Sequence, residues 1–104
     1  MRSEVLKGHV DLLLLATLRR GPLHGYGIVE ALRSASAGAF DLAEGTVYPA
    51  LYRLEAGGLL SSSWTKAHGR RRRVYELTKR GRGKLARERD EWQAFSQAVE
   101  AVVT

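Results

Sequence analysis

The most polarised stretch of the chain is HGRRRR, residues 68–73, in which four arginines follow one another. From Lys66 to Arg87 ten side chains are Lys or Arg and only Glu76 opposes them. Residues 1–65 carry six basic and six acidic side chains, so the whole net charge of +6 lies downstream. A local field of this kind favours a polyanion or an acidic surface as the partner.

A second surface of interest lies in TVYPALYRLEAGG, residues 46–58, where apolar side chains recur at helical spacing. At 100° per residue the apolar side chains share one arc of the helix, and polar and aromatic side chains lie outside it. The side chains outside the arc are Thr46, Tyr48, Pro49, Tyr52 and Arg53. Hydroxyls and a guanidinium on one helix surface suit phosphates and base edges. The alternative is that the tyrosines pack against a neighbouring element, with only their hydroxyls at the rim.

The ends of this helix are predicted from its capping residues. Thr46 is the expected N-cap, which places Pro49 at the third helical position. A backbone N–H at that position has no partner within the helix, so proline costs little there. Gly57 and Gly58 are expected to end the helix, because glycine readily takes the left-handed conformation.

The remaining elements must position these side chains. Two helices are predicted upstream, over about residues 8–20 and 26–36, from apolar residues at helical spacing. Two short strands rich in β-branched and aromatic residues are predicted over residues 59–65 and 72–78, with KAHGR as a basic connection between them. A last helix is expected from Thr78 onward.

Three helices followed by a two-stranded ribbon predict a mainly α fold with a small β-hairpin, a winged helix-turn-helix whose third helix enters the major groove of DNA. Residues 1–78 would form the DNA-binding domain, and residues 79–104 a C-terminal dimerisation helix within the same compact unit. Lys66 and Arg70, Arg71, Arg72 and Arg73 would lie on the wing. Alternate residues of a strand point to opposite sides, so about half of the arginines could reach one phosphate backbone.

The first turn of the last helix contains residue types that are unfavourable at a helix N-terminus. Lys79, Arg80 and Arg82 lie where the helix macrodipole disfavours cations, and Gly81 and Gly83 weaken the same turn. A phosphate bound at the helix N-terminus would relieve the conflict. A frayed first turn with solvated cations is the alternative.

The last helix also carries a heptad pattern of apolar residues. Leu85, Trp92 and Val99 are seven apart, and Glu88, Phe95 and Val102 form the neighbouring row with one charged interruption. A narrow apolar stripe of this kind predicts pairing with a second chain, although packing on the same chain is also compatible with it.

Several classes of protein are disfavoured by composition. The chain has no cysteine, and His9, His24 and His68 lie on separate elements without metal-ligand spacing. No Ser–His–Asp set or carboxylate pair stands out, so we expect no enzyme, no metal and no cofactor. The apolar runs are too short to cross a membrane and no secretory signal is evident, which predicts a cytoplasmic protein.

Three stretches carry a family resemblance. LHGYGIVEAL at residues 23–32, EGTVYPALYRLEAGGLLSSSW at residues 44–64 and GRRRRVYELTKRGR at residues 69–82 resemble the signature stretches of the PadR family of bacterial transcriptional regulators. The similarity covers about residues 8–95, with the motifs in the family's order and at compatible spacing.

The resemblance implies a homodimeric, nucleoid-associated winged-helix protein that binds a near-palindromic operator in double-stranded DNA, usually as a repressor. By position, the DNA-reading helix falls on Thr46–Ala56, the wing on Lys66–Arg73 and the dimer helix on about Lys79–Val103. The single short C-terminal helix is similar to the family's smaller branch. Some members of that branch hold flat aromatic molecules between the dimer helices against a tryptophan, which Trp92 matches, with Leu13 and Phe95 as neighbours. Packing alone is the alternative for Trp92.

Two other functions remain open from the sequence. One is a basic nucleic-acid-binding protein without sequence preference, which would bind any duplex equally. The other is a protein-interaction module whose basic strip meets an acidic partner, and duplex DNA would then not compete with that partner.

Overall fold

A computed structural model describes residues 6–104 of the chain. The elements lying wholly within these residues are α1 (Val10–Thr17), β1 (Leu23–His24), α2 (Gly25–Ala35), α3 (Glu44–Ala56), β2 (Leu60–Ala67), β3 (Arg70–Leu77) and α4 (Lys79–Val103). The three strands form one antiparallel sheet in the order β1–β3–β2. The predicted order of helices and hairpin is present, and β1 adds a strand that the sequence did not reveal.

One hydrophobic core joins the first three helices to the sheet. The apolar arc predicted for the third helix is buried and meets aliphatic residues of α1 and α2 as well as Tyr75 of β3. The largest fully buried side chains are Tyr75, Leu14, Leu15, Leu18, Ile28, Leu51 and Val47. Burial of one face of α3 therefore fixes which of its residues turn outward.

The start of α3 differs from the sequence prediction. The helix begins at Glu44 with Ala43 as its N-cap, and no side chain caps it, so the prediction of Thr46 as N-cap is wrong. Pro49 therefore lies within the second turn rather than at the third helical position. Its missing N–H leaves the carbonyl of Gly45 without a helical partner, and because Gly45 is exposed, water can take that place.

The hairpin is longer and its turn tighter than predicted. Leu60 pairs with Leu77 at its base and Ala67 with Arg70 at its tip, which leaves His68 and Gly69 as a two-residue turn. Both turn residues have positive φ, 53° and 76°, as a type I′ turn requires. The KAHGR connection is thus mostly strand.

The last helix starts where it was predicted. The Thr78 hydroxyl accepts a hydrogen bond from the Gly81 amide and donates one to the Gly58 carbonyl. Gly81 is buried, and a Cβ there would overlap the Leu59 carbonyl oxygen, so close packing explains this glycine without a bound anion. The first turn is helical and capped, which contradicts the frayed alternative.

The boundaries of the upstream helices shift by a few residues. Helix α1 ends at Thr17 rather than near residue 20, because the amides of Leu18 and Arg19 bond three residues back and tighten the chain into a turn.

Within residues 6–104, no helix combines the length and apolar character that a membrane crossing requires. The division at residue 78 stays a prediction.

Candidate nucleic-acid interface

The outward face of α3 and the wing, defined as β2 and β3 with their turn, open onto one shared basin of about 600 Å³. We call it the wing basin. It is lined by His24, Gly25, Tyr26, Glu44, Tyr48, Tyr52, Trp64, Arg70, Arg71, Arg72, Arg73 and Tyr75. Two of the predicted α3 contacts and all four wing arginines thus come together in one place.

The two tyrosines of α3 differ in solvent exposure. Tyr52 is 58% exposed, whereas Tyr48 is half-buried and its ring fills the space beside Gly25. A Cβ on Gly25 would lie 2.5 Å from that ring, which explains why glycine stands there. Burial, followed by the nearby charge of Glu44, raises the pKa of Tyr48. The Tyr48 hydroxyl therefore remains a protonated donor at neutral pH.

The strand register divides the four arginines as alternation predicts. Trp64 lies opposite Arg73 and Lys66 lies opposite Arg71, which places these four side chains on the face of the hairpin that continues from buried Tyr75. The guanidinium carbon of Arg71 lies 4.8 Å from the Trp64 ring centroid, and that of Arg73 lies 5.5 Å away.

The other hairpin face holds Arg70 and Arg72. The Arg72 guanidinium donates to His24 Nε2 at 3.2 Å, which requires that nitrogen to carry no proton. Burial, followed by the charge of Arg72, lowers the pKa of His24, in agreement with a neutral imidazole. Arg70 is exposed beside the turn, and no ion pair holds it within residues 6–104.

A polar cluster ties α3 to the wing. The Ser62 hydroxyl donates to Glu55 Oε2 at 2.5 Å, and Arg73 Nη2 lies 3.5 Å from the same oxygen. Arg73 Nε is buried and has no hydrogen-bond partner among the described residues. Arg73 is therefore committed to the fold, and a phosphate would find Arg71 more accessible.

The other three α3 candidates face a separate groove. Thr46, Pro49 and Arg53 line it with Lys7 and residues of the α2–α3 connection, around a volume of about 810 Å³. Arg53 donates to both carboxylate oxygens of Asp11 in α1, at 2.9 and 2.7 Å. The hydrogen bond from Arg53 lowers the pKa of Asp11 against the opposing effect of burial. Arg53 thus has a structural partner that the sequence did not reveal.

The predicted phosphate contacts of α4 lie apart from the wing basin. Lys79 and Arg80 line a third depression around Gly57 with Lys84 and Arg87, and Arg80 donates to the Gly57 carbonyl at 3.1 Å. Arg82 is exposed. Lys66 is exposed on β2 and does not line the wing basin.

An apolar groove of about 510 Å³ lies between α1 and α4. Its lining includes all three predicted effector residues, Leu13, Trp92 and Phe95, together with Leu85. The rings of His9 and Trp92 meet edge to face at 5.2 Å. Beyond the groove the predicted dimer stripe continues uncovered along α4 through Val99 and Val102.

Trp64 and His24 are two basin residues that the sequence did not predict, and each of them contacts a wing arginine. A tight turn at HG would have set the hairpin register and placed Trp64 opposite the arginine run. No local signal identifies His24, since its contact with Arg72 spans 48 residues. Within residues 6–104, no group of three or more His, Asp or Glu side chains could hold a metal ion.

The fold and the basin define a winged helix, and comparison with known proteins identifies its family. The family model described as "Transcriptional regulator PadR-like family" matches residues 14–87. The transcriptional regulator Rv3488 of Mycobacterium tuberculosis is 34% identical over 96 residues, covering 92% of this chain and 87% of that protein. The chain therefore belongs to the PadR-like family of transcriptional regulators, which confirms the predicted family and the expectation of a regulator rather than an enzyme.

Solved structures agree on the fold. A transcriptional regulator from Clostridium thermocellum superposes with a TM-score of 0.88 at 28% identity, covering 97% of this chain and 99% of that one. Bacillus subtilis PadR in complex with operator DNA superposes with a TM-score of 0.67 at 24% identity, covering 74% of this chain and 43% of that one. The predicted winged helix with a C-terminal helix is thereby confirmed.

Proposed function

We propose that the chain is a homodimeric repressor that binds a near-palindromic operator in double-stranded DNA. Tyr48 and Tyr52 enter the major groove, and the wing contacts the adjacent phosphate backbone through Arg71, with Arg70 nearer the tip. The observation that carries this proposal is the wing basin, where hydroxyls of α3 and guanidiniums of β3 face the same space. The complex of Bacillus subtilis PadR with operator DNA supports the choice of ligand.

Three further side chains have supporting parts in this proposal. Thr46 and Pro49 lie on the exposed surface of α3 at its N-terminal half. In this proposal they would border the DNA backbone. Arg53 remains 61% exposed despite its ion pair with Asp11, so an edge of its guanidinium stays within reach of a phosphate. Lys66 on the wing and Lys79, Arg80 and Arg82 on α4 add to the positive field that attracts the duplex.

The test is binding to the DNA just upstream of the chain's own coding region, against a random duplex of equal length, at near-physiological salt. A repressor is expected to prefer its operator by about a thousandfold or more. Tyr52→Ala should remove most of this preference, because Tyr52 is exposed and its loss leaves the core intact. Arg20→Gln serves as control, since Arg20 is an exposed cation that does not line the wing basin.

Two other outcomes would support a different function, and a third would contradict only the role of α3. Equal affinity for both duplexes would favour a basic nucleic-acid-binding protein without sequence preference. Absence of binding to either would favour a protein-interaction module with an acidic partner. A preference that survives Tyr52→Ala would contradict the role given to α3.

The dimer is proposed from the apolar stripe on α4. Trp92, Phe95, Val99 and Val102 are all exposed in the single chain, and Phe95 is 59% exposed. A row of this kind at heptad spacing is stabilised by a second copy of the same helix, as in other two-fold assemblies. Sedimentation of the purified chain should give twice the 11.5 kDa mass of one chain.

Regulation is proposed to act through the apolar groove. A small aromatic molecule against Leu13, Trp92 and Phe95 would change the angle between α1 and α4, and so the distance between the recognition helices of the dimer. Titration with a flat aromatic dye should quench Trp92 and weaken operator binding. Quenching without a change in affinity would contradict this coupling.

A further inference from the structure

We propose that Trp64 is a positioning residue that holds Arg71 over the wing basin as the wing's main phosphate contact. The inference rests on the proposed DNA-binding function and adds to it a residue outside the recognition helix and the arginine run. Trp64 is 55% exposed between the polar residues Ser63 and Thr65 of β2, and it does not belong to the hydrophobic core cluster. Neither core packing nor solubility explains an indole there.

Trp64 contacts the guanidiniums of two arginines, one of which is also held by an ion pair. Arg73 lies next to the Glu55 carboxylate at 3.5 Å and is tied to α3. Arg71 is exposed, has no ion pair within residues 6–104, and lies closer to the indole, at 4.8 Å from the ring centroid. The indole face is thus the interaction that orders Arg71.

A stacked guanidinium remains able to bind phosphate. Its face rests on the ring while its N–H groups point outward in the guanidinium plane, where they can donate to two phosphate oxygens. An arginine held in this way loses less conformational freedom when DNA binds than a freely rotating one. Trp64 would therefore strengthen DNA binding by ordering Arg71 before the encounter.

Arg70 provides a matched control within the same run. It is the neighbouring arginine, it is exposed, and the strand alternation places it on the opposite hairpin face from Trp64. Removal of Arg70 should weaken binding independently of Trp64. In a variant that lacks Arg71, replacement of Trp64 should not change the DNA affinity further.

The experiment is a double-mutant cycle on binding to the upstream duplex, measured by fluorescence anisotropy across a series of salt concentrations. Trp64→Leu is expected to weaken binding by roughly two- to fivefold for each subunit of the dimer, the range of an exposed cation–π contact. Arg71→Gln should lower the slope of log affinity against log salt by about two, one for each subunit of the dimer. In the Arg71→Gln background Trp64→Leu should have no further effect, whereas in the Arg70→Gln background its full effect should persist. Trp64→Tyr should restore most of the loss.

Each remaining outcome overturns the inference. Additive losses from Trp64→Leu and Arg71→Gln would show that the indole acts on its own. A lower melting temperature of Trp64→Leu that parallels the loss of affinity would show a role in folding. If the wild-type chain binds no duplex, both this inference and the proposed function fail, whereas additive losses with intact wild-type binding overturn the inference alone.

Discussion

The wing basin and the α4 stripe are both exposed, yet they differ in how their side chains are held. In the wing basin, Arg72 contacts His24, Arg73 contacts Glu55, and Arg71 rests on Trp64. Along α4, Phe95, Val99 and Val102 are largely exposed to solvent. The side chains of the wing basin are thus held by contacts within one chain, whereas an exposed apolar row such as the α4 stripe is typical of a surface that binds another molecule.

The largest expected effect comes from breaking the stripe. Val99→Glu would place a carboxylate in the proposed dimer interface, where an unpaired buried charge costs several kcal/mol. We expect monomers at micromolar concentration and an operator affinity lower by about a hundredfold, because the two half-sites are then no longer bound by one linked dimer. Gln97→Glu adds the same charge to the same helix away from the stripe and should remain dimeric. A monomeric wild-type chain, or a dimeric Val99→Glu variant, would contradict the proposed interface.

A smaller effect is expected from a change at Gly25, which packs against the Tyr48 ring in the wing basin. Gly25→Ala brings a Cβ within 2.5 Å of the Tyr48 ring, so the ring must move. Overpacking of this kind destabilises by about 1–3 kcal/mol, and displacement of Tyr48 should also weaken operator binding. Gly45→Ala is the control, because its Cβ meets no atom within 4 Å and alanine favours a helix by about 0.5–1 kcal/mol. Melting temperatures of the two variants should therefore move in opposite directions.

Variants of the Asp11–Arg53 ion pair test whether Arg53, in the groove beside Thr46 and Pro49, stabilises the fold or binds DNA. Asp11→Asn should destabilise the fold by at most about 1 kcal/mol, since the pair is exposed. The pKa of Asp11 is lowered in the fold, so the pair's contribution is present above the unfolded value of about 3.9 and is lost as pH falls. If Arg53 contacts phosphate, Arg53→Gln should weaken duplex binding while Asp11→Asn leaves it unchanged or stronger. Equal affinity of both variants would limit Arg53 to a role in the fold.

The sequence predicts the parts of this molecule that depend on local pattern. The buried arc of α3, the start of the last helix near Thr78 and the alternation of the wing arginines follow from helical and strand periodicity. Ala43 gave no side-chain signal for the start of α3, and a strand of two residues, β1, is too short to show a period. These errors are local and arise from elements without a distinctive residue type.

Contacts across long sequence separations could not be predicted in the same way. Asp11 and Arg53 lie 42 residues apart, and His24 and Arg72 lie 48 apart. Each pair depends on how one element packs against another. That packing is determined by the hydrophobic core as a whole and not by the sequence near either residue. The wing basin was therefore predictable in its arginines and α3 tyrosines, but not in the residues that hold them.

The smallest expected effect concerns the proton on His24. Because the fold lowers the pKa of His24, it favours the neutral imidazole that accepts from Arg72. The resulting stability is fully present above the unfolded value of about 6.5 and is lost as pH falls through the folded value. His24→Gln should remove this part of the pH dependence of the melting temperature. His68→Asn changes a histidine at the wing turn, where asparagine tolerates positive φ, and should leave the dependence in place. A pH dependence that survives His24→Gln would show that the His24–Arg72 contact contributes nothing to the internal organisation of the wing basin.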